Sequence, residues 1–347
     1  MPIVPVDPRH PDPVIIAEAA ARLRAGGLVA FPTETVYGLG ANALDAQAVA
    51  RIYATKGRPA WNPVIAHVAD VAAARALSRA WPESAERLAQ AFWPGPLTLV
   101  VPKAAHVPDE ATAGLDAVGV RVPSHPVALA LLRAAGIPVA APSANRFTQV
   151  SPTTASHVVQ SLGDRVPLVL DGGPATVGIE STVVDCTGDT VVILRPGMLG
   201  RESLEAALEG SGIAVAVAKP STVAHQAAVP AETPRSPGMA DRHYAPRAEV
   251  WLFGAEGADE ITAALAERRA SAATSEPVLA LLRTVALPED AAIVRRMPVD
   301  PVGYAQQLYA ALHEADARQA ALVVIEMPPP HESAWEGVRD RLTRAAR

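Results

Sequence analysis

Short apolar runs alternate with segments of helical period along the first 209 residues. The runs at 28–31, 97–101, 118–122, 138–141, 168–170, 182–185 and 191–194 predict strands. Apolar residues three and four apart predict helices over 13–25, 46–55, 84–92, 126–135, 153–162 and 202–209. This alternation predicts α/β layers around a mixed sheet. Asp45 is placed to cap the helix that follows it, and Ser151-Pro152 reads as a cap with proline at the first helical position. Periodicity lapses over residues 211–247, where Pro, Ala, Ser and Thr dominate, so an extended connector is expected there. It resumes with strand 249–253, helix 258–270, strands 278–282 and 292–295, helix 302–314, strand 321–325 and helix 333–344. The expected division is therefore a first domain over 1–210, the connector, and a smaller α/β domain over 248–347.

Composition narrows the function classes. Half of the 347 residues are hydrophobic and 19% are charged, enough to build two cores. No apolar stretch of about twenty residues exists, so no membrane span is expected. The opening MPIVPVDPRHPDP lacks the charged-then-apolar pattern of an export signal. Cys186 is the single cysteine, which excludes an internal disulfide and suits a reducing cytoplasm. Net charge is −6 and only 4% of residues are aromatic, which disfavours stable nucleic-acid binding. Only Lys56, Lys103 and Lys219 are lysines, and every other basic residue is arginine.

Several polar segments interrupt the apolar pattern. FPTETVYGLGANALD offers the hydroxyls of Thr33, Thr35 and Tyr37 together with Gly38 and Gly40, and reads as a glycine-containing turn between strand and helix. Its loose likeness to a dinucleotide fingerprint lacks the acidic residue expected at the ribose position. KGRPAWNP places Lys56 and Arg58 at a helix end, with Gly57 suited to C′ and Asn62 and His67 following. Such cations can simply complement the helix dipole, or they can face a ligand. PSAN places Ser143 and Asn145 in a turn after a strand, either bonding to their own backbone or to a ligand. VRVPSHP sets Arg121 in an apolar strand, where it must find an anion or water. GIESTVVD and LRPG add Ser181, Thr182 and Arg195. His67 and His125 lack metal-ligand spacing, and no phosphate-binding G-x-x-x-x-G-K-[ST] loop occurs. Two cations answered by two short polar side chains suit an anionic, planar-edged ligand, such as a nucleotide phosphate beside a carboxylate. No covalent nucleophile has its own base, so positioning and charge neutralisation are the expected chemistry.

FPTETVYGLG, KGRP with NP, WPGPLTLV, VRVPSHP, APSAN, SPT, DGG, GIESTVVD, LRPG, SPGM and HYAP occur in this order. In that order the chain resembles the YrdC-like domain, and more closely the long two-domain form of the L-threonylcarbamoyl-AMP synthases. The resemblance implies a YrdC-like twisted mixed sheet with helices and an open cleft, plus a smaller Rossmann-like α/β C-terminal domain. It implies condensation of L-threonine, bicarbonate or CO2 and ATP to threonylcarbamoyl-AMP and pyrophosphate. The product would feed N6-threonylcarbamoyladenosine formation in tRNA through a downstream threonylcarbamoyl transferase. By the same resemblance Lys56, Arg58, Ser143 and Asn145 are catalytic. Thr35, His67, Arg121, the Ala141 backbone and Ser181 hold threonine, while Arg58, Asn62, Ser143, Ser151, Arg195 and Tyr244 hold ATP. Mg2+ comes with ATP, held mainly by its phosphates, and the connector with HYAP closes as a lid. Ala117 stands where relatives often carry threonine, so a nucleotide contact there would use backbone. The competing expectations are a non-catalytic RNA-binding module in tRNA or ribosome maturation and a carbamoyl-phosphate-using carbamoyl-adenylate enzyme.

Overall fold

Residues 3–218, 243–271, 277–288 and 292–347 are described by the computed structural model. They divide into two units, the first comprising 3–147 and 151–218, the second 148–150 and the described part of 243–347.

The first unit contains β1 (Ile3–Pro5), α1 (Pro13–Arg24), β2 (Val29–Phe31), β3 (Gly38–Asn42), α2 (Ala46–Lys56), β4 (Ile65–His67), α3 (Val71–Ala76), α4 (Glu83–Phe92) and β5 (Leu97–Pro102). It continues through α5 (Asp109–Thr112), β6 (Ala117–Arg121), α6 (Pro126–Ala135), β7 (Val139–Ala140), α7 (Ala155–Leu162), β8 (Val169–Asp171), β9 (Thr182–Asp185), β10 (Val191–Arg195), α8 (Arg201–Ala207) and β11 (Val215–Val217). The strands form one mixed sheet in the order β1-β8-β2-β3-β7-β4-β6-β5-β9-β10-β11. Both faces are covered, which explains why the strands are continuous apolar runs rather than alternating ones. In β2, Val29 and Phe31 enter one core with Leu23, Leu131 and Val139, while Ala30 between them enters the other with Leu39, Ile52 and Leu99.

Three expectations are corrected here. GLGAN is a strand rather than a turn, running antiparallel to β2 with Val29 opposite Gly40 and Phe31 opposite Gly38. A Cβ at Gly40 would lie 2.8 Å from the Phe31 ring and 2.9 Å from Val139 Cγ1, so glycine here serves close packing between strands. A hairpin at this point also removes the β-α-β unit that a dinucleotide site requires. Ser151 does not cap α7: Thr154 does, its side chain accepting from His157 N, while Ser151 turns to Glu180. Residues 211–218, expected to open the connector, carry β11, whose Val215 pairs with Val191 of β10. The rest of the connector up to Arg242 lies outside the described residues. Asp45 caps α2 as expected, accepting from Gln47 N at 2.9 Å and Ala48 N at 3.2 Å. Gly57 ends that helix in the left-handed region at φ 63°.

The second unit holds β12 (Glu249–Phe253), α9 (Ala258–Ser271), β13 (Val278–Leu282), β14 (Ile293–Arg296), α10 (Pro301–Ala317), β15 (Leu322–Glu326) and α11 (Glu336–Ala345). Its four strands are all parallel in the order β12-β15-β13-β14, with α9 between β12 and β13 and α10 between β14 and β15. Glu326 ends β15 fully buried. It accepts from the backbone N–H groups of Arg283, Thr284 and Val285 and from the Thr284 hydroxyl. Burial pushes this carboxyl's pKa up, but the four hydrogen bonds together outweigh it and hold the group below its usual value. Among the described residues no helix is long and apolar enough to cross a membrane.

Candidate active site

Three separated stretches of the first unit meet through backbone bonds. Leu39 N donates to Pro142 O and Ala144 N to Tyr37 O, both at 2.8 Å, and Gly38 bridges Ser143. β7, which precedes the PSAN turn, is antiparallel to β3 and to β4. The turn is therefore placed by these bonds to the TETVYGLG segment rather than by the carboxyl edge of a parallel sheet. The end of α2 joins the same turn. Lys56 Nζ donates to Ser143 O and Asn145 O, each at 2.5 Å, and Phe147 N donates to Lys56 O at 2.9 Å. The KGR and PSAN segments, almost ninety positions apart, thus form one cluster.

Lys56 is 3% exposed although it carries an ammonium. Burial, with the Arg58 charge adding to it, lowers its pKa well below the usual lysine value, and Glu180 opposes that shift. Lys103 has a different environment, pairing with Asp109 and Thr112 near the surface, and Lys219 lies outside the described residues. Arg58 turns from Lys56 toward the loop behind it, where Nη2 donates to Asn62 Oδ1 at 2.5 Å and Pro63 O at 2.9 Å. Its guanidinium also lies 6.0 Å over the Phe147 ring. Ser143 itself is only half-buried, so its hydroxyl is reachable.

A second group gathers around Arg121, the last residue of β6. Its register partner across β4 is His67. The anion that the strand arginine requires is Glu34, whose Oε1 accepts from Nη2 at 2.6 Å with both side chains almost fully buried. Arg121 also donates from Nη1 to Thr35 Oγ1 at 2.9 Å and from Nε to Gly95 O at 3.2 Å. Three of the five guanidinium N–H groups are thereby satisfied, and two have no acceptor among the described residues. β5 is antiparallel to β6 and parallel to β9, while β10 is antiparallel to β9. The start of β9 and the end of β10 consequently lie at the same end of the sheet as Arg121. Ser181 shares a hydrogen bond with Thr98 at 2.8 Å, and Arg195 Nη2 donates to Ser181 O at 3.0 Å and to its Oγ at 3.2 Å. Ser151 Oγ donates to Glu180 Oε1 at 2.6 Å, one residue away from Ser181.

The histidines take structural positions of different kinds. His125 caps α6, its Nδ1 accepting from Val127 N. His67 Nδ1 lies 3.2 Å from Ile65 O. Burial, reinforced by the Arg121 charge, lowers the His67 pKa from 6.5 to about 3, although backbone bonds to Ile65 and Val139 oppose this. The ring is therefore neutral at neutral pH. Since the unfolded chain protonates at the ordinary value, it takes up the extra proton as pH falls from 6.5 toward 3. This group therefore contributes its stability fully above that window and loses it across the window. His67→Gln should flatten the acid limb of folding stability, read as the urea midpoint between pH 7 and 4. An unchanged slope would show that His67 is not buried neutral.

Ala117, the first residue of β6, stands opposite Pro102 of β5. Tyr244 belongs to the second unit, buried and stacked on Tyr309 at 5.9 Å beneath the Arg341 guanidinium at 5.1 Å. Glu34, Glu180 and Thr98 were not singled out from the sequence. The two acids stood inside conspicuous segments, TET and GIEST, and a carboxylate flanked by buried strands must pair with a cation or a hydroxyl. Among the described residues no three His, Cys, Asp or Glu side chains converge to hold a metal ion.

Comparison with known proteins bears on this geometry. Residues 21–197 match the family model described as telomere recombination, and residues 199–347 match that of the threonylcarbamoyl-AMP synthase C-terminal domain. The chain is 50% identical over 232 residues to the threonylcarbamoyl-AMP synthase of Pyrococcus abyssi, covering 67% of this chain and 66% of that protein. Its likeness to the Bacillus subtilis threonylcarbamoyl-AMP synthase is 47% over 246 residues, covering 71% of this chain and 68% of that protein. The aligned segments thus span about two thirds of these relatives' length. The crystal structure of P. abyssi Sua5 complexed with L-threonine superposes with a TM-score of 0.89 at 38% identity, covering all of this chain and 98% of that one. With a family model matched over each of its two halves, the chain belongs to the threonylcarbamoyl-AMP synthase family, enzymes of the nucleotidyl-transferase type.

Proposed function

We propose that this chain condenses L-threonine, bicarbonate or CO2 and ATP into threonylcarbamoyl-AMP and pyrophosphate, for N6-threonylcarbamoyladenosine formation in tRNA. One observation carries the reading: Lys56 is buried against the Ser143–Asn145 turn. In the same unit, Arg121 keeps two N–H groups for a carboxylate. The threonine complex of the P. abyssi relative supports threonine as the amino acid.

In this reading the Arg121 fork takes the threonine carboxylate, with Thr35, His67, the Ala141 backbone and Ser181 around the rest of the molecule. Threonine's amine, as the free base, adds to CO2 and releases a proton, giving a carbamate. A carbamate oxygen then attacks the α-phosphorus, the bond to the β-phosphate breaks, and pyrophosphate leaves. Carboxylate, carbamate and triphosphate repel one another, so the cationic side chains lower the barrier by bringing like charges together. Lys56 and Arg58 neutralise carbamate and phosphate charge, and Ser143 and Asn145 orient the reacting groups. Asn62, Ser151 and Arg195 serve ATP, and Tyr244 is assigned to it by resemblance. Mg2+ enters as part of MgATP, coordinated mainly by phosphate oxygens. The reactive adenylate is consumed by a threonylcarbamoyl transferase acting on tRNA. The lone buried Cys186 suits a cytoplasmic protein.

The test is incubation with MgATP, threonine and labelled bicarbonate, followed by chromatography. A labelled adenylate and pyrophosphate are expected in equal amounts, with neither formed when bicarbonate is omitted. Pyrophosphate release that needs threonine but not bicarbonate would instead indicate an aminoacyl adenylate.

A further inference from the structure

We infer that Glu34 is a positioning residue for substrate recognition: it fixes the orientation in which the Arg121 guanidinium is presented to the amino-acid carboxylate. The inference rests on the function proposed above. Its basis is the immobility of Glu34. One carboxylate oxygen accepts from Arg121 Nη2 at 2.6 Å and the other from Ser124 N at 3.0 Å. Its own carbonyl accepts from Val177 N at 2.6 Å. The acid is therefore tied at three points to two other loops, and is 4% exposed. Arg121 is held in turn at Nε by Gly95 O and at Nη1 by Thr35 Oγ1. No rotation of the guanidinium about its last bond preserves all three of these contacts. The two remaining N–H groups, one on each terminal nitrogen, are thereby held in fixed orientations, the preorganisation that charge-assisted recognition of a carboxylate requires.

Glu34 has a second consequence. Without Glu34, Arg121 would be a buried charge lacking a counter-ion before substrate arrives, a costly state that favours rearrangement or unfolding of the site. The paired carboxylate keeps the guanidinium in its binding geometry while the site is empty. A ligand then meets a preorganised fork and does not have to order it.

Glu34→Gln keeps the size of the side chain and one acceptor, but replaces a charge-assisted bond by a neutral one. It is expected to weaken threonine binding, measured by calorimetry, by about tenfold, with ATP binding changed less than twofold. In turnover the same variant should raise KM for threonine and leave kcat at saturating threonine nearly unchanged. Glu34→Asp, which keeps the charge at shorter reach, should recover part of the threonine affinity. If Glu34 merely holds the fold together, Glu34→Gln will lower Tm and leave threonine affinity as it was, or weaken threonine and ATP alike. Either result overturns the inference. A wild-type chain that binds no threonine removes the proposed function as well, whereas normal wild-type binding matched by Glu34→Gln sinks the role of Glu34 alone.

Discussion

Lys56→Ala is expected to slow adenylate formation by about a hundred- to a thousandfold, the range seen when one preorganised charge-stabilising donor is removed. Lys56 donates to two main-chain oxygens at 2.5 Å, and its remaining contact, to Asn145 Oδ1, is long at 3.5 Å. An ammonium has three donors: two fix its position, and the third, engaged only at long range by Asn145 Oδ1, can turn to an anion. Removing it leaves two buried carbonyls short of a partner, at a cost of about 1–3 kcal/mol. A fall in Tm of several degrees should thus accompany a folded protein. Lys56→Arg is not expected to rescue, because a planar fork cannot place a compact charge between these two oxygens. Pyrophosphate release with threonine and bicarbonate, beside a thermal melt, measures both effects. A folded Lys56→Ala protein working at the wild-type rate would end the assignment of Lys56 to the chemistry.

Arg121→Ala should produce the largest loss of stability of any single change in the site. It leaves the buried Glu34 carboxylate without its cation, and breaking a buried pair from one side costs about 3–5 kcal/mol. For a unit of this size that corresponds to a Tm lower by on the order of 10 °C. Threonine binding should be lost in the same variant, since Arg121 is the guanidinium that bonds Thr35 and is assigned the threonine carboxylate. Combining Arg121→Met with Glu34→Gln removes both charges and should restore much of the Tm but none of the threonine binding. That contrast separates the structural cost of the unpaired acid from the function of the arginine. A single Arg121→Ala variant that melts within a degree or two of wild type would show that the pair is not buried as described.

Much of this could be read from the chain because local signals are strong where helices begin and end. Asp45 and Gly57 bracket α2 by side-chain capping and a left-handed residue, both local properties. Most strands were also visible as apolar runs, even β2, β7 and β8, which are only two or three residues long. The strands that escaped, β1, β3, β4 and β11, are three to five residues long, and their apolar content does not stand out from the surrounding loops. β3 was misread for a further reason: its glycines are there to let Phe31 and Val139 approach, a requirement set by residues of other strands. Ser151 shows the same limit, since Ser-Pro fits a cap locally but Glu180, far along the chain, claims the hydroxyl. In the site, lone cations in apolar surroundings announced themselves. The acids Glu34 and Glu180, though inside conspicuous segments, did not, because their partners Arg121 and Ser151 lie far along the chain.

Main-chain oxygens, and not carboxylates, anchor the Lys56 ammonium to its turn. The two short bonds of this anchor do not depend on which side chains occupy positions 143 and 145; only the long contact to Asn145 Oδ1 does. Exchanging the serine hydroxyl or the asparagine amide can therefore probe those groups one at a time, with the ammonium left where it was.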